Sequence, residues 1–298
     1  MELIEALRAS PGLLAFSCAL LGLCVGSFLN VVAWRLPVMM EHEFRNDAHE
    51  MYFEQYGAPP RVPDAERISL TRPASTCSSC KTPIRAWHNV PVLGWLFLKG
   101  RCASCGSPIS VQYPLVEAFT GVLFVICAAR FGWSPQLAGA LVVTALLVAM
   151  TVIDLRTQFL PDELTLPLLW VGLGATVVPV FADPASAAVG AAAGYVSLWL
   201  VARVFEWVTR REKGSAMGEG DFKLLAGLGA WLGWQALPQV ILLSALVGSV
   251  VGIGLMAARK AEWTSKIPFG PYIAGAGWLA MVYGTTINGA WLDLMATG

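Results

Sequence analysis

The chain has 298 residues, of which 56% are hydrophobic and 13% charged, with 20 basic residues balanced by 20 acidic ones. Its mean hydropathy is +0.61, which excludes an ordinary soluble domain and indicates a polytopic membrane protein. The charge balance gives a nucleic-acid partner no electrostatic support.

Apolar runs long enough to cross or enter a bilayer occur at about residues 12–34, 114–131, 136–153, 163–182, 186–208, 237–258 and 271–293, and a shorter run at 222–234 reads as a half-helix. The expected fold is therefore all-α, with about eight transmembrane or half-membrane helices. Glu2 and Glu5 precede the first run and no small-residue cleavage site follows it, so it is expected to stay as a transmembrane helix rather than leave as a signal peptide. Three regions are expected: residues 1–34 as the first helix, 35–113 as a polar loop domain, and 114–298 as the remaining membrane domain.

The loop carries four of the seven cysteines, spaced as Cys77-x2-Cys80 and, 21 residues later, Cys102-x2-Cys105. CSSCKTPI (77–84) and CASCGSPI (102–109) are near-copies. Two facing knuckles that each present two thiolates suit a tetrahedral zinc site; a pair of disulfides or redox motifs is the alternative. His88 lies between the knuckles, but four thiolates already complete the coordination. Cys18, Cys24 and Cys127 fall in apolar runs and read as small packing residues.

The next run leads into MTVIDLRTQFLPDELTLP (150–167). Asp154 stands at the carboxyl end of its helix, where the helix dipole disfavours a negative charge, so something else must retain it. Asp162 and Glu163, in a first helical turn, are explained as well by capping as by function. Farther on, MGEGDFKL (217–224) sets Glu219 and Asp221 among glycines at the start of an apolar stretch. Gly218 and Gly220 leave bare backbone on both sides of Glu219, which permits positive φ and the close approach of another chain.

Of the 20 Lys and Arg residues, 18 fall on one set of loops and adjoining helix ends, against Arg8 and Arg130 on the other. Under the positive-inside rule the N-terminus lies outside and the loops 35–113, 154–162, 209–221 and 259–270 face the cytoplasm. Asp154 and Asp221 then share one depth at the cytoplasmic interface. Two such carboxylates share a proton and titrate as a coupled pair, the ionised member activating water while the protonated one polarises a carbonyl. Nucleophilic alternatives are poor, because no Gly-x-Ser-x-Gly element occurs and His42, His49 and His88 all lie in the cysteine loop.

GSFLNVVAWRLP (26–37), the four-cysteine loop, ISVQYPLVE (109–117), DLRTQFLPDELTLPLLW (154–170), GEGDFKLLAGLGAWLGW (218–234) and IPFGPYIAGAG (267–277) occur in that order. Together they resemble the bacterial type IV prepilin peptidases, or prepilin leader peptidase/N-methyltransferases, over nearly the whole chain. The resemblance implies an aspartic endopeptidase that removes the basic leader of prepilins and pseudopilins after glycine on the cytoplasmic side of the bacterial inner membrane. It also implies N-methylation of the new N-terminal residue, usually phenylalanine, from S-adenosylmethionine.

The family's catalytic aspartates match Asp154 and Asp221, and the ligands of its structural zinc match Cys77, Cys80, Cys102 and Cys105. The position of Glu219 varies in the family. Gly100 and Arg101, just before Cys102, match a Gly-[Lys/Arg]-Cys pattern and are the candidates for the methyl-transfer site; no glycine-rich loop of the soluble methyltransferase type occurs. Glu41, Glu43, Asp47, Glu50, Glu54, Asp64 and Glu66 either steer a basic leader or form a solvated face. Asn30 and Glu117, near the inner ends of the first two helices, are open to packing or donor-binding roles and are expected to face protein rather than lipid. A zinc-stabilised transporter would need polar groups at mid-bilayer, and an intramembrane protease of the presenilin type would carry deeper acids and no cysteine loop.

Overall fold

The positions of proline and glycine decide where the apolar runs become helices. In a computed structural model, residues 2–57, 68–210, 212, 214, 216–258 and 267–296 are described. The helices are α1 (Glu2–Ala9), α2 (Pro11–Tyr56), α3 (Leu93–Phe97), α4 (Gln112–Phe131), α5 (Pro135–Thr157), α6 (Asp162–Gly174), α7 (Pro184–Thr209), α8 (Glu219–Leu232), α9 (Leu237–Ala257) and α10 (Gly270–Ala296). Among the described residues no sheet occurs, only the isolated bridges Thr76–Pro83 and Arg101–Pro108.

Among the described residues, five helical stretches are long and apolar enough to cross a membrane: 11–48, 112–131, 135–157, 184–209 and 234–257. The chain is thus a multi-pass membrane protein. Two expectations change. The first helix does not end near residue 34 but runs on to Tyr56, because Pro37 removes one ladder bond without stopping the helix and no glycine intervenes before Gly57, which has φ +71. The run 163–182 is not one span: α6 has 13 residues and passes into a 3-10 turn at Ala175–Val177. At ~1.5 Å per residue α6 and α8 are each about 20 Å long, short of a ~30 Å hydrocarbon core. Asp64 and Glu66 lie outside the described residues, as do Arg61, Arg67, Arg211, Lys213, Arg259, Lys260 and Lys266 of the charge map.

The chain divides into two compact units, residues 1–18 with 123–298, and residues 19–122. In the first, α8 is the buried centre, packed against α6, α7 and α10. Phe222, Leu224, Leu225, Leu228, Ala230 and Trp231 are all nearly inaccessible. A helix apolar on every side needs protein on every side. Trp231 donates its indole N–H to the Leu168 carbonyl of α6 at 2.8 Å, which satisfies its one polar atom in the core. On α7, Gly190 and Gly194 form a GAAAG stretch that lies against the α8 backbone at Gly229 and Leu225, leaving no space for a β-carbon at either glycine. Such small-residue faces let membrane helices approach closely.

In the second unit, Gly26 of α2 meets the backbone of Glu117 on α4. One helical turn on, Asn30 donates to the carbonyls of Gly26 at 3.3 Å and Tyr113 at 3.1 Å, bridging the two helices. Arg35 donates to the carbonyls of Ser69, Leu70 and Pro73 and so fastens the loop back onto α2.

The α7–α8 contact yields the first prediction. Gly190→Val forces a branched side chain into the Gly229 backbone and is expected to lower stability by about 1–3 kcal/mol, whereas Gly254→Ala, with nothing within 4 Å of the added carbon, leaves it unchanged or slightly raised. Thermal unfolding in detergent checks both.

Candidate functional site

Asp154 sits in the last turn of α5 and is 4% exposed. Its helix repels the charge, but another helix attracts it: the backbone N–H of Gly270 donates to Asp154 Oδ2 at 3.0 Å. Gly270 opens α10, so the carboxylate occupies the positive end of that helix, where free N–H groups point outward. A β-carbon at residue 270 would lie 2.6 Å from the same oxygen. Glycine is required there for room.

Asp221 lies in the first turn of α8, also at a helix N-terminus, and is 8% exposed. Its Oδ1 is buried and has no hydrogen-bond partner among the described residues. The Asp154 and Asp221 carboxylates are close enough to interact electrostatically, which joins two acids 67 positions apart in the chain.

Around them, Gly220 packs against Leu160, with 2.6 Å between an added β-carbon and the leucine Cβ. That side of Gly220 is therefore closed, and neither it nor Gly218 (φ −71) uses positive φ. The expectation of bare backbone on both sides of Glu219 holds only at Gly218, which is otherwise open. Glu219 is exposed, as an acid in a first helical turn can be at no cost. Asp162 accepts Lys223 Nζ on both carboxylate oxygens at 2.7 Å, tying the start of α6 to α8. Half-exposed, this ion pair contributes little energy but fixes a register.

Glu206, which no sequence motif singles out, is buried in the last turn of α7. Its Oε2 receives Arg203 at 2.8 Å, while Oε1 receives the backbone N–H groups of Gly214 at 2.7 Å and Ala216 at 3.2 Å. It therefore shapes the loop that leads into Gly218 and Asp221. A buried acid late in an apolar helix was the available signal. An open apolar cleft of about 390 Å³ lies elsewhere, around Pro135, Gly139, Val142, Val178 and Trp231, and has no titratable lining. It sits at the amino end of α5, the opposite end from Asp154.

In the second unit the two knuckles share one construction. Cys77 N–H donates to Thr82 O and Lys81 N–H to Cys77 O; Cys102 N–H donates to Ser107 O and Gly106 N–H to Cys102 O. Lys81 and Gly106 occupy equivalent positive-φ positions, 58° and 71°.

The Sγ atoms of Cys77, Cys80, Cys102 and Cys105 lie within 4.8 Å of one another. Cys77 and Cys105 are separated by 3.8 Å and Cys80 and Cys102 by 4.0 Å. Sulfurs held ~2.3 Å from a tetrahedral ion are ~3.8 Å apart, against ~2.05 Å in a disulfide, so the arrangement fits one metal ion and not disulfides. The Cys80 backbone amide and then the Ser107 hydroxyl lower the Cys77 thiol to about 6, favouring the thiolate a metal needs. His88 is outside the cluster. Of the other cysteines, Cys18 and Cys127 are buried while Cys24 is exposed.

Gly100 is buried with φ +69 under the Trp95 ring, a conformational reason for glycine; Arg101 is exposed. Glu117, 7% exposed, accepts the Val92 N–H at 2.6 Å.

Residues 20–131 match the bacterial peptidase A24 N-terminal domain, and residues 141–253 match the type IV leader peptidase family. The two matches together cover most of the chain and define a leader peptidase class. Curated prepilin leader peptidase/N-methyltransferases resemble the chain closely: that of Aeromonas salmonicida is 47% identical over 96% of both chains, that of Pseudomonas aeruginosa 46% over 98% of both, and that of Stutzerimonas stutzeri 45% over 98% of this chain and 99% of its own. The chain belongs to the prepilin leader peptidase/N-methyltransferase family. No solved structure matches it.

Glu206 generates a prediction independent of activity. Glu206→Ala strands two amide donors and is expected to speed amide exchange at Gly214 and Ala216 at least about tenfold, read by hydrogen–deuterium exchange. Glu206→Gln, which keeps an oxygen for both amides, retains most of the protection.

Proposed function

We propose that this chain is a membrane aspartic endopeptidase that removes the basic leader of type IV prepilins and pseudopilins after glycine, and that it N-methylates the residue so exposed. The observation that carries the protease reading is the pair Asp154 and Asp221, each buried at a helix N-terminus and each within electrostatic reach of the other. Asp221 Oδ1, without a partner among the described residues, is an acceptor available to water or a substrate group.

In the proposed mechanism the two carboxylates share one proton, since close like charges do not both ionise readily. The ionised member takes a proton from water as it attacks the carbonyl after the leader glycine. The protonated member donates to the carbonyl oxygen and then helps protonate the leaving amine. The Gly270 amide keeps Asp154 in position through both steps. Glu206 and Lys223 act as positioning residues, through the 214–218 loop and through α6.

The remaining assignments rest on the family and the charge map. Cys77, Cys80, Cys102 and Cys105 hold a structural zinc ion within a loop domain of residues 35–113, and residues 114–298 form the protease domain. The protein resides in the bacterial inner membrane with the N-terminus periplasmic and the aspartates facing the cytoplasm, as the positive-inside rule requires. S-adenosylmethionine supplies the methyl group. Glu41, Glu43, Asp47 and Glu50 are exposed on the α2 extension, where they would attract a basic leader.

Incubation of the purified chain with a prepilin tests the reading. Asp154→Asn or Asp221→Asn should lower leader cleavage at least about a thousandfold while a leaderless peptide is still methylated; normal processing by either variant would overturn the dyad. Metal analysis is expected to give one zinc ion per chain, and Cys80→Ser should lose it together with the compactness of the knuckles. A wild-type protein free of zinc would refute the metal assignment.

A further inference from the structure

We propose that Glu117, with Asn30, binds the N-terminal ammonium group of the methyl acceptor and takes its proton. The inference rests on the N-methyltransfer reading and assigns a substrate site to it.

Three observations in the second unit converge. The Glu117 carboxylate is 7% exposed, and among the described residues its one hydrogen bond comes from the Val92 N–H, with no ion pair to a basic side chain. A neutral amide would satisfy that N–H equally well, so the charge itself is unaccounted for, and burying an unpaired carboxylate is costly. Asn30, 4% exposed, spends its N–H donors on Gly26 and Tyr113 and leaves Oδ1 buried, without a partner among the described residues. Gly26 and Asn30 on α2 face Glu117 and Tyr113 on α4, so the bare acceptor and the bare charge belong to one interface. Finally, Val92 is a β-branched residue held at φ 60, a conformation that persists only where its surroundings demand it.

Two acceptors, only one of them taking a donor, the Val92 N–H, suit a cation with several N–H groups. The sulfonium centre has none, whereas an ammonium has three; the donor carries an ammonium of its own on its methionyl carbon, and the donor-binding arm of the test separates it from the ammonium of the acceptor. The neighbourhood also suits the apolar segment that a leaderless pilin carries directly after its N-terminal ammonium: Val90, Leu93, Leu96 and Phe97 expose apolar side chains around Val92.

Proton transfer comes first and methyl transfer second. The ammonium gives one proton to the Glu117 carboxylate and becomes a neutral amine. Its lone pair then attacks the methyl carbon of the sulfonium donor; a C–N bond forms as the C–S bond breaks, and that electron pair returns to sulfur. A neutral thioether and a protonated secondary amine remain.

The test uses the full-length chain in nanodiscs and a leaderless peptide beginning with phenylalanine, with a free or an acetylated N-terminus. Without donor, the wild type is expected to bind the free peptide about tenfold to a hundredfold more tightly than the acetylated one, as for a hydrogen bond between charged groups. Glu117→Gln should abolish that preference, leave binding of labelled S-adenosylmethionine unchanged, and lower methylation at least about tenfold; zinc content and melting temperature report its folding. Equal binding of both peptides by the wild type overturns the proposal without needing any variant. Loss of donor binding in Glu117→Gln, or undiminished methylation by it, overturns it as well. A wild type that methylates neither peptide would instead sink the N-methyltransfer reading, while the binding comparison still decides ammonium recognition.

Discussion

The hydrogen bond from Gly270 N–H to Asp154 Oδ2 is the contact on which the protease half of the molecule turns. A carboxylate at the carboxyl end of its own helix, buried to 4% exposure, is doubly disfavoured, by the dipole and by desolvation. The amino end of α10 offsets both, and it can approach only because residue 270 has no β-carbon. Leu160 touches both Gly220 and Gly270, and so fills the gap between the starts of α8 and α10. The loop after Asp154 thereby spaces the start of α8, which carries Asp221, from the start of α10, whose Gly270 N–H holds Asp154.

This explains why α8 is short and glycine-rich. A helix that must begin at the depth of Asp221 and be enclosed by α6, α7 and α10 has neither the length nor the lipid-facing side of a span. Its contact with α7 at Gly190 and Gly194 brings backbones together, and α7 in turn supplies Glu206 to the loop ahead of Asp221. Placement of one carboxylate thus draws on a neighbouring helix at both of its ends.

Much of this was legible in the sequence, for reasons that differ by element. The membrane helices follow from hydropathy, and the knuckle repeat follows from two copies of one eight-residue pattern. Asp154 stood out because its helix dipole argued against it. What resolved it, the N-terminus of another helix 116 residues away, is a partner no local pattern contains. Glu206 and the Asp162–Lys223 pair escaped for the same reason. The α2 extension and the break after α6 are not legible because apolar run length is not helix length: Pro37 is tolerated within α2, and α6 gives way to a 3-10 turn. Gly220 was read as open backbone when it is a packing contact.

The two matched family regions, 20–131 and 141–253, fall largely in separate structural units, and the buried acids divide the same way. Asp154 and Asp221 are a pair, as hydrolysis through a shared proton requires. Among the described residues Glu117 is the one buried acid of the second unit, which suits removing one proton from a cation but not activating water against a carbonyl. On the proposed reading, Glu206, the third buried acid of the first unit, is spent on Arg203 and the Gly214 and Ala216 amides, so each site keeps the number of free carboxylates its reaction needs, and cleavage and methylation are chemically independent steps carried by one chain.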